Sequence, residues 1–351
     1  MADTTALFRR FPALAGRLGW LRLGSGVTPV ERVEGAELPG ELWVKRDDLT
    51  GPEYGGNKLR KLEFLLAHAR QRGAGRLVTG GGFGSHHALA TTLYGTRAGF
   101  AVTAVLYPQQ ATAHVREVLA AIHGLGADLR YCPHMALLPA SLALARRAGR
   151  RDVPYAVPPG GSSPVGVLGY VSAGLELAEQ VSAGAAPAPD HVHVAAGTLG
   201  TAAGLAIGFA LGGLRGRIVG VKIVPDYVAS ERVLRRLVRA TLALLADTGD
   251  AAVRAALPAP AEVAARVQLR GGYLGDGYGR PTTAGAAALE RFGALGLGLD
   301  PTYTAKTAAA LLDALERAPG VHLFWHTLSA VMPAVPRAAA LPDRFRRRLG
   351  P

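Results

Sequence analysis

The sequence predicts an α/β protein of two lobes, each built on a mostly parallel sheet with helices on both faces. Short apolar segments typical of buried strands alternate along the chain with alanine-rich segments typical of amphipathic helices. Such alternation favours parallel sheets, because each helix returns the chain to the edge at which the next strand begins. The chain has 351 residues, of which 49% are hydrophobic, and this is enough to bury two cores.

Six apolar segments are predicted as strands. They are residues 76–79, 101–106, 128–131, 191–195, 217–223 and 321–325. We assign residues 1–60 and 164–351 to a large lobe and residues 61–163 to a small inserted lobe. A binding site is expected between the lobes, at the carboxyl ends of the strands.

A lysine stands close behind two glycines in the segment YGGNKLRK, residues 54–61, and a helix-forming run continues through Ala69. This arrangement presents the Lys58 amine on a tight turn at a helix start, where a carbonyl group can form a Schiff base with it. The chain has only five lysines, and Lys58 and Lys61 both fall in this motif. Arginine is abundant but cannot lose its proton to become a nucleophile. The structural alternative is a solvated lysine on an amphipathic helix.

A second motif joins the predicted strand 191–195 to a small-residue helix predicted at 202–211. The connecting loop contains Gly197, Thr198, Leu199, Gly200 and Thr201. Backbone amides and the helix dipole converge at such a helix start and favour an anion. The loop has neither the P-loop lysine nor the spacing of a dinucleotide site, and alone it equally fits an ordinary tight turn. A Schiff-base lysine with a separate phosphate site is what pyridoxal phosphate requires.

The order of these motifs resembles that of the fold-type II pyridoxal-phosphate enzymes, in the branch of D-cysteine desulfhydrase and 1-aminocyclopropane-1-carboxylate (ACC) deaminase. The resemblance runs from Thr28 to about Thr327 and implies a tryptophan synthase β-like fold, with the cofactor between two α/β/α lobes. Five ordered motifs carry it: residues 42–50, the lysine motif 55–63, residues 159–163 continuing to 166–170, residues 277–279 and residues 300–306.

The resemblance also implies roles for individual residues. Lys58 is expected to bind the cofactor covalently and then to move the Cα proton. Ser85 is expected beside the substrate carboxylate or at the reacting carbon, and Tyr278 and Tyr303 are expected to flank the substrate. For Tyr278 the alternative is aromatic packing near a loop. The remaining expected cofactor contacts are Lys61, His86, Gly197, Thr198, Leu199, Gly200, Thr201, Thr304 and Thr327, and the expected substrate contacts include His86 and His87.

Three positions bear on the substrate. Thr304 follows the second tyrosine, where ACC deaminases resemble one another in carrying a glutamate and D-cysteine desulfhydrases carry threonine. Where the family typically has Gln-Ser-Asn-His, this chain has glycine at position 84 and His86 in place of asparagine, and the lost glutamine is expected to open space. Imidazole titrates near neutrality, which an amide does not. Leu328 follows Thr327, where the family has glycine close to the cofactor ring.

The function predicted from these features is elimination of D-cysteine to pyruvate, ammonia and sulfide by a pyridoxal-phosphate-dependent lyase or deaminase. ACC deamination and a β-replacement in specialised amino-acid metabolism stay open as alternatives. A protein that binds the cofactor without catalysis is the alternative from a different class. It is disfavoured because Lys58, Ser85, Tyr278 and Tyr303 occur together.

Composition narrows the possible partners. The net charge is +13, but basic residues are scattered and no nucleic-acid reading module is present, so a solvated basic surface is the simpler explanation. Cys132 is the only cysteine, which excludes intrachain disulfides, and no metal site is expected. No segment has the length of a membrane span and no signal peptide is evident, so a cytoplasmic location is expected. The family resemblance suggests a homodimer that acts on a small amino acid.

Overall fold

The computed structural model describes residues 4–34, 40–148, 152–335 and 340–349. In these residues the α-helices are α1 (Ala6–Arg10), α2 (Asn57–Gln71), α3 (His86–Arg97), α4 (Ala113–Gly124), α5 (Leu138–Arg147), α6 (Pro164–Ser182), α7 (Gly200–Gly212), α8 (Glu231–Ala246), α9 (Ala251–Ala256), α10 (Pro260–Ala265), α11 (Thr283–Ala294), α12 (Thr304–Leu315) and α13 (Asp343–Leu349). The strands are β1 (Val30–Arg32), β2 (Glu41–Lys45), β3 (Arg76–Gly82), β4 (Ala101–Tyr107), β5 (Asp128–Tyr131), β6 (Pro154–Ala156), β7 (His191–Ala196), β8 (Arg217–Lys222), β9 (Val267–Arg270) and β10 (Val321–Trp325). Short 3₁₀ helices cover Pro12–Gly16, Asp47–Leu49, Met135–Leu137 and Pro159–Gly161.

The strands form two sheets. One has six strands in the order β1-β2-β10-β7-β8-β9, and the other has four strands in the order β5-β4-β3-β6. The pairing of β1 with β2 is antiparallel and every other pairing between these strands is parallel. The predicted α/β fold with mostly parallel sheets is therefore confirmed. The proposed lobe boundaries stay a prediction.

All six strands predicted from apolar composition are present, with ends that differ by at most three residues. Strand β2 was expected from the family resemblance, within the motif at residues 42–50, whereas β1, β6 and β9 were not predicted. They have three or four residues each and lie at sheet edges, where one side of the strand is unpaired and side chains stay partly exposed. Pro154 opens β6, which is the position that an edge strand tolerates. Short, half-exposed strands carry too little apolar pattern to be predicted.

Helix α6 brings the two sequence motifs together because glycines line its contacts. A Cβ atom at Gly169 would overlap the Arg60 carbonyl of α2, and a Cβ at Gly174 would lie 3.0 Å from Cα of Gly208 in α7. Small residues at these positions let both helices approach α6 closely. The N-termini of α2 and α7 are consequently adjacent, and Nδ2 of Asn57 donates to Oγ1 of Thr201 at 3.2 Å.

A buried ionic cluster lies behind the start of α2. Arg60 pairs with Asp47 and with Glu176 at 2.8 Å each, and Glu176 also pairs with Lys45 at 2.6 Å. None of these side chains is more than 8% exposed. Each charge has a partner of opposite sign, which offsets the cost of removing it from water. The cluster joins β2, α2 and α6 into one unit around the lysine motif.

No helix among the described residues combines the length and the apolar character needed to cross a membrane.

Candidate active site

A cavity of about 500 Å³ lies between the two sheets. Its wall includes Gly81 and Tyr107 at the ends of β3 and β4, and Ala195, Val224 and Thr327 at or just beyond the ends of β7, β8 and β10. Each of these strands ends at the cavity, so the carboxyl edges of both sheets face it. Ligand sites of parallel sheets are commonly found at this edge.

Lys58 projects into the cavity from the first turn of α2. Its Nζ donates to Oδ1 of Asn57 at 2.5 Å and lies 5.7 Å from the centroid of the Tyr303 ring. Burial lowers the pKa of Lys58 to about 8, although the negative charge of Asp300 opposes the shift. A substantial fraction of the amine is therefore neutral near physiological pH, which is the state in which a lysine attacks a carbonyl.

The turn before Lys58 is held by the segment that follows β10. The amide of Asn57 donates to the Thr327 carbonyl at 3.1 Å, and the amide of Gly55 donates to Oγ of Ser329 at 2.7 Å. Gly56 has φ of 82°, and a Cβ there would lie 2.7 Å from the Thr327 oxygen. Only glycine fits this conformation and this approach. Thr327 and Leu328 both line the cavity.

The Gly/Thr loop forms a cradle at the N-terminus of α7. Oγ of Ser162 lies 2.7 Å from Oγ1 of Thr198 and accepts from the Gly200 amide at 3.2 Å. Leu199 has φ of 63°, the one non-glycine residue with positive φ in the described chain. The left-handed conformation turns successive amides toward one point. A strained backbone held this way is expected where it serves a ligand.

Lys61 completes the cradle from α2. Its side chain is buried and its Nζ donates to the Gly160 carbonyl at 3.0 Å, while no carboxylate among the described residues pairs with it. Burial and the nearby Lys58 amine lower the pKa of Lys61 well below its usual value. A Cβ at Gly200 would lie 3.0 Å from the Lys61 Nζ. The Lys61 amine, which a bound anion would favour in its charged form, the helix N-terminus and the bare glycine backbone together form a site for an anion of phosphate size.

Two tyrosines face each other in the cavity wall. The hydroxyls of Tyr278 and Tyr303 are hydrogen-bonded, and the rings meet edge to face with centroids 6.0 Å apart. Burial raises the pKa of both phenols, so both are protonated at neutral pH. Lys306 holds the loop of Tyr278 by donating to the Leu274 carbonyl at 2.7 Å. The pair can donate a hydrogen bond or deliver a proton within the cavity.

Asp300 caps helix α12, which begins directly after Tyr303. Its carboxylate accepts from the amides of Tyr303 and Thr304 at 2.7 and 3.0 Å, and from Oγ1 of Thr304 at 2.7 Å. Asp300 belongs to the cavity wall and Thr304 does not. The Thr304 hydroxyl is therefore turned to the capping carboxylate, and Asp300 supplies the negative charge that opposes the lowering of the Lys58 pKa.

The first turn of α3 supplies three polar side chains to the wall. Oγ of Ser85 caps the helix by accepting from the Ala88 amide at 3.2 Å. His86 bonds the hydroxyl of Tyr54 through Nδ1, and burial lowers its pKa to about 4. His87 is buried near the Pro158 carbonyl, but neither ring nitrogen makes a hydrogen bond of acceptable geometry within the described chain. Two such nitrogens in a cavity wall are suited to a polar ligand.

The structure brings nearly all the predicted site residues to one cavity. Its wall contains Lys58, Lys61, Ser85, His86, His87, Gly197, Thr198, Leu199, Gly200, Thr201, Tyr278, Tyr303 and Thr327. Of the predicted set, Thr304 alone lies outside this wall. Tyr54, Ser162 and Asp300 were not predicted. Ser162 and Asp300 lie inside motifs that carry the family resemblance. Their polar side chains within those motifs could have identified them as site residues.

The expected space at Gly84 is not found. A Cβ at this position would lie 2.9 Å from a methyl group of Val115, and Gly84 does not belong to the cavity wall. Instead, Oε1 of Gln109 accepts from the Gly84 amide at 2.8 Å. The expectation was wrong because α4 packs against this turn, which a sequence pattern does not show.

The residues present fit pyridoxal phosphate. Lys61 has a buried amine with a lowered pKa and no anionic partner in the described chain, and a bound phosphate would supply that partner. The amine of Lys58 opens to the same cavity and carries a lowered pKa. One group is suited to the cofactor's phosphate and the other to its aldehyde.

We expect Lys61→Met to weaken cofactor binding by about ten- to a hundredfold, since a charge-assisted hydrogen bond contributes about 1.5–3 kcal/mol. The same variant is expected to melt no lower than the wild type without cofactor, because it removes a buried amine that has no anionic partner in the described chain. Titration of the protein with pyridoxal phosphate, followed by visible absorbance, measures the first effect. Lys222→Met, which removes a lysine paired with Asp226 outside the cavity, is the control. Equal affinity in all three proteins would contradict the assignment.

Comparison with known proteins agrees with this geometry. Residues 21–325 match the family model described as pyridoxal-phosphate dependent enzyme. The chain is 38% identical to nocardicin C-9' epimerase of Nocardia uniformis subsp. tsuyamanensis over 320 residues, which cover 89% of this chain and 93% of that protein. It is 33% identical to D-cysteine desulfhydrase of Yersinia pestis over 322 residues, which cover 88% and 92%.

A solved structure described as an ACC deaminase homologue superposes with a TM-score of 0.75. It is 29% identical in sequence, and the match covers 91% of this chain and 94% of that one. The alignments with the two relatives and the superposition on the solved structure each extend over nearly the whole chain. The similarity therefore includes both sheets and the cavity between them.

Proposed function

The chain belongs to the pyridoxal-phosphate dependent enzyme family, and from this premise we propose that it eliminates the β-substituent of a small amino acid, with D-cysteine as the first substrate to test. The products would be pyruvate, ammonia and sulfide. The observation that supports the proposal most strongly is that the Lys58 amine, the anion cradle and the tyrosine pair share one cavity. Relatives named D-cysteine desulfhydrase, matched over most of the chain, support the substrate.

Two groups of residues at the cavity would hold the cofactor. Lys61, the amides of residues 198–201 and the Ser162 hydroxyl are placed to bind its phosphate. Lys58 is placed to bind its aldehyde carbon. When bound, pyridoxal phosphate supplies an electron sink that stabilises negative charge at the Cα of an amino acid.

Lys58 would carry the proton. Its lowered pKa keeps part of the amine neutral, so Nζ can accept a proton from the Cα of a bound amino acid. Asn57 orients the amine by accepting a hydrogen bond from it at 2.5 Å. Ser85 and the unpartnered nitrogens of His87 lie in the same wall and would bind the substrate carboxylate.

The tyrosine pair would act on the leaving group. Both phenols are protonated at neutral pH, so one can donate its proton to a departing sulfur while the other replaces that proton through their shared hydrogen bond. Sulfide needs little additional electron withdrawal to depart. This agrees with a hydroxyl at Thr304 in place of a carboxylate and therefore favours desulfhydration over ACC ring opening.

Epimerisation at Cα is a second candidate. The relative named nocardicin C-9' epimerase is 38% identical over 89% of the chain. Epimerisation also begins with removal of the Cα proton, and it differs in returning a proton to the opposite face. Histidine at position 86, beside the cavity, provides an ionisable group that asparagine would not.

The experiment is an assay of the cofactor-loaded protein with D-cysteine, L-cysteine and ACC, each in D₂O. Elimination predicts pyruvate with sulfide from D-cysteine. Epimerisation predicts deuterium at Cα and loss of optical purity without pyruvate. Release of 2-oxobutanoate from ACC alone, or no reaction at Cα of any amino acid in a wider panel, would contradict the proposed elimination.

We also infer a homodimer in the cytoplasm. The support is the family resemblance for the dimer, and the single buried cysteine, Cys132, for a reducing compartment.

A further inference from the structure

A chain of three side chains leads from the cavity toward the protein surface. The Tyr54 hydroxyl and His86 both belong to the cavity wall and are hydrogen-bonded through Nδ1 of the histidine. Nε2 of His86 lies 2.9 Å from Nε2 of His114, in the first turn of α4. The His114 side chain is outside the cavity wall and 40% exposed. Hydrogen bonds therefore connect the cavity with solvent.

Two arrangements of protons satisfy these contacts with both imidazole rings neutral. In the first, the Tyr54 hydroxyl donates to Nδ1 of His86, Nε2–H of His86 donates to His114, and Nδ1 of His114 holds a proton on the outer side. In the second, Nε2–H of His114 donates to His86, and Nδ1–H of His86 donates to the Tyr54 oxygen, whose own proton points elsewhere.

Conversion of the first arrangement into the second moves one proton outward. The tyrosine proton passes to Nδ1 of His86, the proton on Nε2 of His86 passes to His114, and the proton on Nδ1 of His114 leaves to water. The Tyr54 oxygen then takes a proton from the cavity. The reverse conversion carries one proton inward, so the chain resets without any ring becoming permanently charged.

The groups around Tyr54, His86 and His114 favour this exchange of protons. Besides burial, the Lys58 and His114 groups lower the pKa of His86, and Asp300 raises it, with a result of about 4. A neutral imidazole is required, because an imidazolium has no lone pair with which to accept the next proton. At the outer end, Oε2 of Glu117 lies 4.0 Å from Nδ1 of His114 and offers a carboxylate at the point of exit.

We propose that Tyr54, His86 and His114 form a proton relay between the candidate active site and solvent. The inference rests on the proposed function, in which a proton leaves Cα and another enters the cavity during each turnover. His114 acts through His86 and is a positioning residue. The relay also accounts for histidine at position 86, because the amide of the asparagine expected there cannot take up a proton at neutral pH.

His114→Gln tests the relay in the cofactor-loaded enzyme. We expect kcat to fall about tenfold, with KM and cofactor affinity unchanged; this is less than the roughly 10²–10⁴-fold effect of a group that exchanges the proton with the substrate, because His114 acts through His86. In His114→Ala, free imidazole in the buffer is expected to restore part of the rate by replacing the missing ring. His123→Gln, on the same helix and outside the cavity wall, is the matched control and should keep the wild-type rate. A wild-type kcat in the His114 variants, or a loss that imidazole does not reverse, would overturn the proposal.

A second readout needs no turnover. In ¹⁵N NMR spectra of the cofactor-free protein, we expect the ring nitrogens of His86 to report a mixture of the two neutral tautomers, and His114→Gln to change the ratio of these tautomers. An unchanged tautomer ratio of His86 in His114→Gln would refute the relay. Absence of any amino-acid turnover in the wild type would instead refute the proposed function, and the NMR result would then decide the relay by itself.

Discussion

Lys58→Ala is expected to reduce kcat by about 10⁴-fold or more, since it removes both the covalent attachment of the cofactor and the base that accepts the Cα proton. The variant should still fold, because the Nζ of Lys58 has one neighbouring hydrogen-bond partner, Asn57, and a cavity around it. It should also still bind the cofactor's phosphate through Lys61. The visible absorbance that marks cofactor joined to the protein is expected to disappear.

The wild type is expected to capture the cofactor in a pH-dependent manner. Burial lowers the pKa of Lys58 to about 8, and only the neutral amine attacks a carbonyl. The capture rate should therefore rise about tenfold per pH unit below pH 8 and level off above it. Lys222→Ala, which removes a lysine outside the cavity, is the control and should behave as the wild type. Full activity in Lys58→Ala would exclude the assigned role.

Asp47→Asn is expected to lower the free energy of unfolding by about 3–5 kcal/mol, the usual cost of removing one partner of a buried ion pair. The Asp47 carboxylate accepts from Arg60 at 2.8 Å, and from Tyr170 and Trp325 at 2.7 Å each. Its side chain is 0% exposed. Asparagine at position 47 removes one of the anionic partners of Arg60. Its amide NH₂ group also replaces an acceptor oxygen, so that a donor faces the donors that the carboxylate had bound.

The Asp47 variant should also loosen the lysine motif, since the Asp47 carbonyl accepts from the Gly56 amide at 2.8 Å. Urea unfolding followed by far-UV circular dichroism measures the change in stability. The matched control is Asp226→Asn, which breaks a pair whose aspartate side chain is 82% exposed, and we expect a change of at most about 1 kcal/mol. Equal effects of the two substitutions would show that the buried cluster contributes no more than a surface pair.

The fold was predictable because strand and helix patterns in this chain are regular. The apolar runs that form β3, β4, β7, β8 and β10 lie in sheet interiors and therefore carry the strongest signal. The lysine motif and the Gly/Thr loop could be recognised in the sequence because each is local, with chemistry and backbone geometry set by a few consecutive residues; their roles stay a prediction. The positive φ of Leu199 is an exception, because it is visible only in the structure.

Contacts between distant segments could not be predicted. Gln109 fills the space beside Gly84, and His114 reaches His86 from a different helix. For Gly84 and His86, the decisive fact is the position of a side chain from a distant segment. The contact of Thr304 with Asp300 is local, but the orientation of the Thr304 hydroxyl depends on how α12 is capped.

The central claim is that Lys58 carries pyridoxal phosphate in this cavity. The most direct test is reduction of the cofactor-loaded protein with borohydride, followed by mass spectrometry of its peptides, which locates the residue bound to the cofactor. The account predicts a single modified residue, Lys58, and no modification when the Lys58→Ala variant is treated in the same way. Attachment at Lys61 or at any other lysine, or a protein left unmodified, would contradict it.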